Sequence, residues 1–277
     1  MEPDRSTVER LVDSWLSEDL GRGDVTSRAI AGGRFVMARI EARAPMVVAG
    51  IDIARACFER LGPIRFEALV KDSQHVDAIA ALARLEGPLE TVLGAERTAL
   101  NVLGHLSGIA TLTAQFVTAV AGTGVRIADT RKTTPGLRVV EKYAVSVGGG
   151  TNQRFGLDED ILIKENHVAA AGGVTKAIER ARANAPFGLR IEVEVTSESE
   201  LSAALDAGAE IVLLDNMSPD RVRDSVAHIS GRALVEVSGG ITLTNVRDYA
   251  LPGVDLISVG ALTHSAPTAD VALEVER

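Results

Sequence analysis

The second half of the chain repeats one pattern, in which a short apolar run is followed by polar residues and then by a stretch of helical character. Strands and helices that alternate in this way form parallel sheets. The close spacing of the runs favours a TIM-like barrel, with eight strands or fewer, over an open doubly wound sheet. The runs fall at residues 125–128, 161–163, 191–195, 211–214, 234–237 and 256–259.

The first part of the chain groups its strands and helices separately, which is typical of an α+β domain. Ser6 and Glu9 fit a capping box and predict an amphipathic helix near the start. Strand alternation at residues 35–42 and 64–70, with a helical segment at 51–61, predicts a sheet with segregated helices.

A helical stretch from Ala95 to Val120 separates these two parts. We predict that it breaks at Gly104 or Gly108, because glycine weakens a helix interior. The resulting domains are an N-terminal α+β domain at 1–104 and an α/β barrel at 105–264. Residues 265–277 are expected to pack back on the first domain.

The composition limits the classes of partner. With 277 residues and 46% hydrophobic content, the chain can bury a full barrel or two domains. A formal charge of −9 and an aromatic content of 3% argue against nucleic acid as a partner. We expect no membrane partner, since no apolar run approaches the roughly 18 residues of a spanning helix.

The start of the chain and its single cysteine predict the compartment. Met1-Glu2-Pro3-Asp4 lacks the basic and apolar regions of a signal peptide, so a cytoplasmic location is expected. Cys57 excludes an internal disulfide framework, and its helical segment favours a buried structural thiol over a nucleophile.

A polar cluster follows the first apolar run of the barrel. Residues 129–136, Asp-Thr-Arg-Lys-Thr-Thr-Pro-Gly, place an acid, two bases and three hydroxyls at a strand end. Ligands bind at the carboxyl ends of strands in parallel α/β folds, and this cluster suits an anion. Taken alone, the segment is better interpreted as a solvated loop held by salt bridges.

Two carboxylates and two lysines are predicted to share that end of the barrel. Glu194 and Asp215 end neighbouring strands, and Lys132 and Lys164 follow two others. The carboxylates suit ribose hydroxyls or a Mg²⁺-bound diphosphate, because Mg²⁺ prefers hard oxygen ligands. Glu192 faces the same way but deeper, where we expect it to pair with a lysine.

Glycine-rich segments follow the last two strands. Residues 238–240 read Ser-Gly-Gly, and residues 258–264 read Ser-Val-Gly-Ala-Leu-Thr-His. Backbone amides in such loops approach phosphates closely, and a phosphate site after the last two strands recurs in barrels. One such loop alone could simply be a tight turn, but two on successive strands favour phosphate binding.

These features outline a phosphoribosyl transfer site, with places for a phosphate, a sugar and a separate polyanion. Longer strings then resemble one family, the quinolinate phosphoribosyltransferases, almost from end to end. They are residues 18–26, 96–101, 107–111, 129–136, 141–145, 162–164 and 214–216.

The resemblance implies a type II phosphoribosyltransferase fold, with an N-terminal α/β sandwich and an incomplete TIM-like α/β barrel. It implies phosphoribosyl transfer from phosphoribosyl pyrophosphate (PRPP) to quinolinate with decarboxylation, giving nicotinate mononucleotide, pyrophosphate and CO₂ in de novo NAD biosynthesis. Mg²⁺ is the implied cofactor. The implied assembly is a homodimer or dimer-based hexamer with shared active sites, in which one subunit's N-terminal domain covers the other's barrel mouth.

The resemblance also implies roles for individual residues. The catalytic group would be Lys132, Lys164, Glu194 and Asp215, with both carboxylates binding ribose and Mg²⁺-diphosphate. Arg97 would reach into the partner's site. Quinolinate would be bound by Arg97, Arg131, Lys132, Gln153, Arg154 and Lys164, and the 5′-phosphate by Ser238, Gly239, Gly240, Ser258, Gly260 and His264.

Three positions depart from the family pattern. Gln153 stands where the family usually has histidine, Ser146 where it has arginine, and Glu165 where it has aspartate. A neutral amide at 153 would bind a carboxylate less tightly, so a related aromatic acid is the alternative acceptor. A non-catalytic paralogue that binds a phosphorylated ligand, and a barrel isomerase with His167 as general base, are further alternatives.

Overall fold

The computed structural model describes residues 3–276, so Met1 and Glu2, which open the acidic start, and Arg277 lie outside the described residues. The chain forms two compact units. The N-terminal unit contains the residues up to Ala114, Thr133–Gly149 and the residues from Leu262 onward; the barrel unit contains Gln115–Lys132 and Gly150–Ala261.

Helices and short strands follow one another along the chain. The first are α1 (Arg5–Leu20), α2 (Val25–Ile30), β1 (Phe35–Ala42), β2 (Met46–Val47), α3 (Ile51–Leu61), β3 (Arg65–Ala68), β4 (His75–Val76), β5 (Ala81–Pro88) and α4 (Leu89–Ala119). They are followed by β6 (Arg126–Ala128), α5 (Arg138–Val147), β7 (Ile161–Ile163), α6 (Glu165–Ala171), α7 (Val174–Asn184), β8 (Ile191–Val195), α8 (Glu198–Asp206), β9 (Ile211–Asp215), α9 (Pro219–Ile229), β10 (Leu234–Ser238), α10 (Val246–Tyr249), β11 (Leu256–Ser258), α11 (Ala261–His264) and β12 (Val271–Val275).

The N-terminal unit is built on a four-stranded sheet in the order β12-β1-β5-β3. All its pairings are antiparallel, and the last strand of the chain lies beside the first, with Ala42 opposite Val271. Alternate residues of β1 share one buried cluster with the apolar faces of α1, α3 and α4. Members of this core include Leu16, Ile40, Phe58, Leu82 and Leu103.

The cap of the first helix differs from the sequence prediction. α1 begins at Arg5, and its N-cap is Asp4, whose carboxylate accepts the backbone N–H of Thr7. The Ser6 hydroxyl donates to the same carboxylate. The predicted capping box is therefore wrong by position, because Asp4 is as good a capping residue as serine and lies two residues earlier.

Helix α4 is continuous over Leu89–Ala119, so the predicted break at Gly104 or Gly108 is wrong. A Cβ on Gly108 would lie 2.0 Å from the carbonyl oxygen of Pro267, and one on Gly104 would lie 2.7 Å from that of Ala269. The two glycines therefore let the segment before β12 pass close to the helix, which compensates for their low helix propensity.

Within residues 3–276, α4 is also the one helix long and apolar enough to span a membrane by length and composition. Half of its most apolar window is buried, and residues of its first half, from Val92 to Leu103, belong to the core of the N-terminal unit. A core helix passes the same test, so we interpret α4 as a core helix.

The barrel unit contains a six-stranded sheet in the order β6-β11-β10-β9-β8-β7. Its pairings are parallel, and a parallel bridge from Thr151 to Ala128 extends it beside β6. Ser238 lies opposite Asp215, so alternate side chains of neighbouring strands form layers on one face. The carboxyl ends of these strands meet at one edge.

The predicted fold class is confirmed. A parallel sheet with intervening helices forms one unit, and a separate antiparallel sheet forms the other. Six strands and a bridge are fewer than the eight strands of a closed TIM barrel, as expected for the incomplete type.

Candidate active site

Four charged residues lie at the carboxyl end of the parallel sheet. Asp215 is the last residue of β9, Glu194 lies one residue before the end of β8, and Lys164 directly follows β7. Lys132 follows β6 in an exposed turn, where its backbone N–H donates to the Thr130 hydroxyl. The parallel topology thus brings the four residues predicted to be catalytic to one edge.

The charges of these residues interact. Nζ of Lys164 lies 2.5 Å from Oε2 of Glu194. The pKa of the Asp215 carboxyl is raised above its ordinary value, first by burial and then by the charge of Glu194. A hydrogen bond from Asn216 and the charges of Lys164 and Lys132 oppose that shift. Two carboxylates and two ammonium groups therefore lie within electrostatic range of one another.

This donor set fits Mg²⁺. The ion is usually held by one or two carboxylates together with water and substrate phosphates. Glu194 and Asp215 supply two carboxylates, and no group of three or more His, Cys, Asp or Glu side chains in residues 3–276 could hold a metal ion. A metal at this edge would therefore need further oxygens, from water or from a substrate.

The loop after β10 brings the backbone very close to its neighbour. Gly239 has a φ of 93°, and a Cβ there would lie 2.3 Å from Oδ1 of Asn216. Gly240 follows with a φ of 63°, and Ser238 is half-buried at the strand end. Only glycine fits position 239 without strain. The loop is therefore a tight turn of glycine backbone, and backbone N–H groups in such turns bind phosphate.

The other residues predicted to bind phosphate are placed differently. The Ser258 side chain is buried, and its hydrogen bond to Glu236 partly opposes the rise that burial causes in the carboxyl pKa of that glutamate. Gly260 lies two residues after β11. His264 belongs to the N-terminal unit, where its Nδ1 lies 2.6 Å from the Ser265 hydroxyl. The barrel unit therefore groups residues 238–240 at the edge and turns Ser258 toward its interior.

Arg131 and Arg154 lie close enough to repel each other. The pKa of the Arg154 guanidinium is lowered, mainly by burial and then by the like charge of Arg131. The negative charges of Glu192 and Asp160 oppose this shift. Nη1 of Arg154 donates to the backbone oxygen of Asp160 at 3.0 Å. Two neighbouring guanidinium groups form a site that suits a polyanion.

The Gln153 side chain contacts two buried glutamates. Its Nε2 donates to Oε2 of Glu192 at 3.1 Å and to Oε2 of Glu236 at 3.3 Å. Burial, and then Glu236, raise the pKa of Glu192 to about 8, and burial also raises the pKa of Glu236. Burial and the neighbouring carboxyl group therefore both favour the protonated form of Glu192. The expectation that Glu192 pairs with a lysine is wrong, because its hydrogen-bond donor is the Gln153 amide.

Sequence reasoning missed the residues that hold this segment. Asp129, which the sequence groups with the anion-binding cluster, is buried and accepts Nδ2 of Asn152 at 2.6 Å and the backbone N–H of Gln153 at 2.9 Å. Glu236 belongs to no motif, but it lies two residues before Ser238 on β10. That spacing of two places it on the same face and is the signal that identifies it.

Arg97 lies on α4 in the N-terminal unit. Its side chain is 64% exposed, and its Nη2 lies 3.9 Å from Oε1 of Glu96. Together with Trp15 and His105 it lines a cavity of about 250 Å³ within that unit. At 3.9 Å the pair with Glu96 is at the limit of an ion pair, so the guanidinium can engage another anion.

Two further positions singled out in the sequence have local contacts. His167 Nδ1 accepts the backbone N–H of Lys164 at 2.9 Å, a cap at the start of α6. This role does not favour His167 as a general base. The Ser146 hydroxyl donates to the backbone oxygen of Lys142 at 3.2 Å, within α5.

Comparison with known proteins extends over the whole chain. Residues 24–107 match the N-terminal domain of quinolinate phosphoribosyl transferase, and residues 109–274 match its C-terminal domain. The nicotinate-nucleotide pyrophosphorylase (carboxylating) of Mycobacterium leprae is 43% identical over 279 residues, covering 98% of this chain and 96% of that protein. The human protein of the same name is 40% identical over 274 residues, covering 97% of this chain and 92% of that protein.

Solved structures share the fold. The nicotinate-nucleotide pyrophosphorylase from Francisella tularensis has a TM-score of 0.95 at 39% identity and covers 99% of this chain and 98% of that one. The enzyme of that name from Ehrlichia chaffeensis has a TM-score of 0.93 at 38% identity, with both chains fully covered. From end to end, in sequence and in fold, this chain belongs to the quinolinate phosphoribosyltransferase family.

Proposed function

We propose that the protein transfers the phosphoribosyl group of PRPP to quinolinate and decarboxylates the product, giving nicotinate mononucleotide, pyrophosphate and CO₂. The observation that carries this proposal is the grouping of Lys132, Lys164, Glu194 and Asp215 at one sheet edge in a member of this family. Relatives from bacteria and human carry the carboxylating nicotinate-nucleotide pyrophosphorylase name.

The acceptor is bound by cations. Arg131 and Arg154 engage the two carboxylates of quinolinate, with Lys132 and Lys164 beside them. The mutual repulsion of the two guanidinium groups supports this assignment, because a dianion placed between them relieves it. Holding the ring by both carboxylates aims the pyridine nitrogen at the sugar.

The donor is bound by carboxylates and a glycine loop. Glu194 and Asp215 bind the ribose hydroxyls of PRPP and the Mg²⁺ that accompanies its diphosphate, and bound Mg²⁺ would offset the charge of departing pyrophosphate. The raised pKa of Asp215 supports a cation here, because burial and a neighbouring carboxylate destabilise its charged form. Residues 238–240 hold the 5′-phosphate through backbone amides, and Gly260, two residues after β11, is a further proposed backbone donor. The Ser258 hydroxyl is engaged by Glu236 and is left out of this set.

The reaction needs no protein nucleophile. The bond from C1′ to the diphosphate oxygen breaks, and the pyridine nitrogen donates its lone pair to C1′. Lys132 and Lys164 stabilise the leaving group, and the two carboxylates favour the positive charge at C1′. The quaternised nitrogen then stabilises the electron pair left on the ring carbon as CO₂ departs, and a proton from solvent completes the product.

We also infer an assembly with shared sites, a homodimer or a dimer-based hexamer. Arg97 supports it, because an exposed arginine whose ion-pair distance to Glu96 is as long as 3.9 Å is able to bind an anion held by another subunit. We further propose that the protein acts in the cytoplasm and binds neither nucleic acid nor membranes. The proposed substrates are small charged molecules, and a net charge of −9 disfavours binding to nucleic acid.

The alternatives are less well supported. Gln153, the reason to consider another aromatic acid, has its amide engaged by Glu192, Glu236 and the backbone of Arg154. A non-catalytic paralogue would have no need for two lysines and two carboxylates at one edge.

The test is an assay of purified protein with PRPP, Mg²⁺ and either quinolinate or nicotinate, following nicotinate mononucleotide and CO₂. We expect product from quinolinate, with one CO₂ for each mononucleotide, and none from nicotinate. Turnover of a different aromatic acid without turnover of quinolinate would contradict the acceptor. No turnover by a protein that still binds PRPP would favour the non-catalytic alternative.

A further inference from the structure

A buried polar cluster lies in the barrel interior, below the residues of the proposed site. It consists of Gln153, Glu192 and Glu236, and the two glutamates are 2% and 3% exposed. Glu192 lies two residues before Glu194 on β8, and Glu236 two residues before Ser238 on β10. Since two residues of a strand span roughly 7 Å, the cluster sits one layer of side chains beneath the edge.

We propose that Gln153, Glu192 and Glu236 form a positioning bracket for Arg154 and thereby set the affinity for the acceptor. The proposal rests on the proposed function, because it takes Arg154 as a ligand of an acceptor carboxylate. None of the three residues is required to touch the substrate, so all three act through Arg154.

Hydrogen bonds hold Arg154 at both of its ends. Oε1 of Gln153 accepts the Arg154 backbone N–H at 2.9 Å, and the guanidinium donates to the backbone oxygen of Asp160 at 3.0 Å. The Asp160 carboxylate is itself held by Arg190 at 2.7 Å. Asp129 fixes the Gln153 backbone from the other side, at 2.9 Å. Arg154 is therefore one residue of a continuous network, and Gln153 is its link to the interior.

The acid pair determines which way the Gln153 amide points. Nε2 faces two carboxylates and Oε1 faces an N–H. Rotating the amide by 180° would set Nε2 against the Arg154 backbone N–H, a donor against a donor, and would set Oε1 against any ionised carboxylate of the pair, so only the observed orientation satisfies all three contacts. In that orientation Oε1 is aimed at the Arg154 backbone.

Stability alone does not account for the two glutamates. Burying a carboxyl group is costly unless its hydrogen bonds are satisfied, and in the described part of the chain Oε1 of Glu192 has no hydrogen-bond partner. Well-packed apolar residues are often more stable at such positions. Strands β8 and β10 nevertheless both direct a glutamate at Gln153, which indicates a positioning role.

The test compares three variants with wild type by steady-state kinetics for each substrate and by thermal unfolding. Gln153→Met keeps the length of the side chain but removes the amide. Gln153→His keeps an N–H donor and introduces the residue usual in the family. Glu236→Met removes both the buried carboxyl group and the oxygen that accepts from Gln153, and because apolar residues at such positions often fold at least as well, it keeps the proposal testable if Gln153→Met does not fold.

We expect Gln153→Met and Glu236→Met to raise the KM for quinolinate about 10-fold, the usual effect of losing one buried hydrogen bond to a charged group. The KM for PRPP should stay within about 2-fold, since the proposed function gives Arg154 no contact with PRPP, and Gln153→His should restore the quinolinate KM to near the wild-type value. The matched control is Glu210→Gln, which weakens contacts to the Ile191 N–H and Arg182 at the start of β8 and should lower Tm without changing either KM.

Two results would overturn the bracket. One is an unchanged quinolinate KM in Gln153→Met or Glu236→Met. The other is an equal rise of the KM values for quinolinate and for PRPP that is proportional to the loss of Tm among the variants. That result would mean that the three residues have a purely structural role. Absence of quinolinate turnover by the wild-type protein would instead overturn the proposed function itself, so that measurement comes first and separates the two failures.

Discussion

The charge of Lys164 acts on more than one carboxyl group of the site. Its ammonium contacts Glu194 at 2.5 Å, and its charge partly opposes the rise that burial causes in the carboxyl pKa values of Asp215 and Glu236. Together with Lys132 it keeps this edge from becoming a purely negative surface, which would repel both anionic substrates.

Replacing Lys164 by alanine should therefore lower kcat by about 10²-fold, the usual effect of removing one electrostatic contact to the transition state. Lys176→Ala is the matched control, because Lys176 is exposed on α7 of the same unit. Steady-state kinetics with PRPP and quinolinate would check this. Equal activity of the two variants would exclude Lys164 from the chemistry.

Cys57 gives a prediction about reactivity. Its thiol is fully buried on α3, and burial raises its pKa to about 12. The thiolate is the reactive form, so a thiol reagent at pH 8 should leave the native protein unmodified and label one thiol per chain in denaturant. Rapid labelling of the native protein would contradict the buried position.

The sequence predicts the charged residues at the sheet edge because each follows an apolar run, which is a local pattern. It does not predict the partner of Glu192, because the contacts are far apart in the chain. The Gln153 amide binds Glu192, which lies 39 positions later, and Glu236, which lies 83 positions later. Ser258 illustrates the same limit: its glycine-rich surroundings suggest a phosphate loop, whereas strand alternation turns its hydroxyl toward Glu236.

At the scale of elements, α4 shows why glycine has to be interpreted with its neighbours. Gly94, Gly104 and Gly108 all lie inside this one helix. From sequence alone they are equivalent weak points, but only the latter two lie against the backbone of a passing segment. Helix continuity here depends on a contact with residues near the end of the chain, which no local pattern reveals.

Two substitutions in α4 should consequently have opposite effects. Gly108→Ala places a Cβ 2.0 Å from the Pro267 carbonyl oxygen and should destabilise the protein by about 1–3 kcal/mol through overpacking. Gly94→Ala meets only side-chain carbons of Leu61 at 3.4 Å and Leu20 at 3.6 Å and should stabilise it by about 0.5–1 kcal/mol. Chemical denaturation measures both, and equal changes would contradict the close approach.

At the scale of the whole molecule, each unit is assembled from separated segments. The N-terminal unit takes Thr133–Gly149 from between two parts of the barrel unit, and its sheet is completed by β12. The pairing of β1 with β12 includes an ion pair between Arg43 and Glu274, 231 positions apart. Sequence patterns predict contiguous blocks well, but pairings at such separation depend on the folded topology.

A subunit-mixing experiment tests the proposed shared site. If Arg97 acts in its partner's site, Arg97→Ala and Lys164→Ala are each inactive alone, but co-refolded mixtures regain activity. Random pairing of equal amounts leaves about a quarter of the sites with both native residues, so about that share of wild-type activity is expected. No recovery in a protein shown to form mixed dimers would mean that Arg97 acts within its own chain or not at all.

The most direct test of the whole account is the ratio of kcat/KM for quinolinate to that for nicotinate, measured with saturating PRPP and Mg²⁺. A site built around two arginines should need both carboxylates, and losing one charge-assisted pair should reduce kcat/KM by at least about 10²-fold. We therefore predict a ratio above about 10², with one CO₂ released per mononucleotide formed. A ratio near one, or product formed from quinolinate without CO₂, would contradict the assignment of this edge of the barrel as a dicarboxylate site.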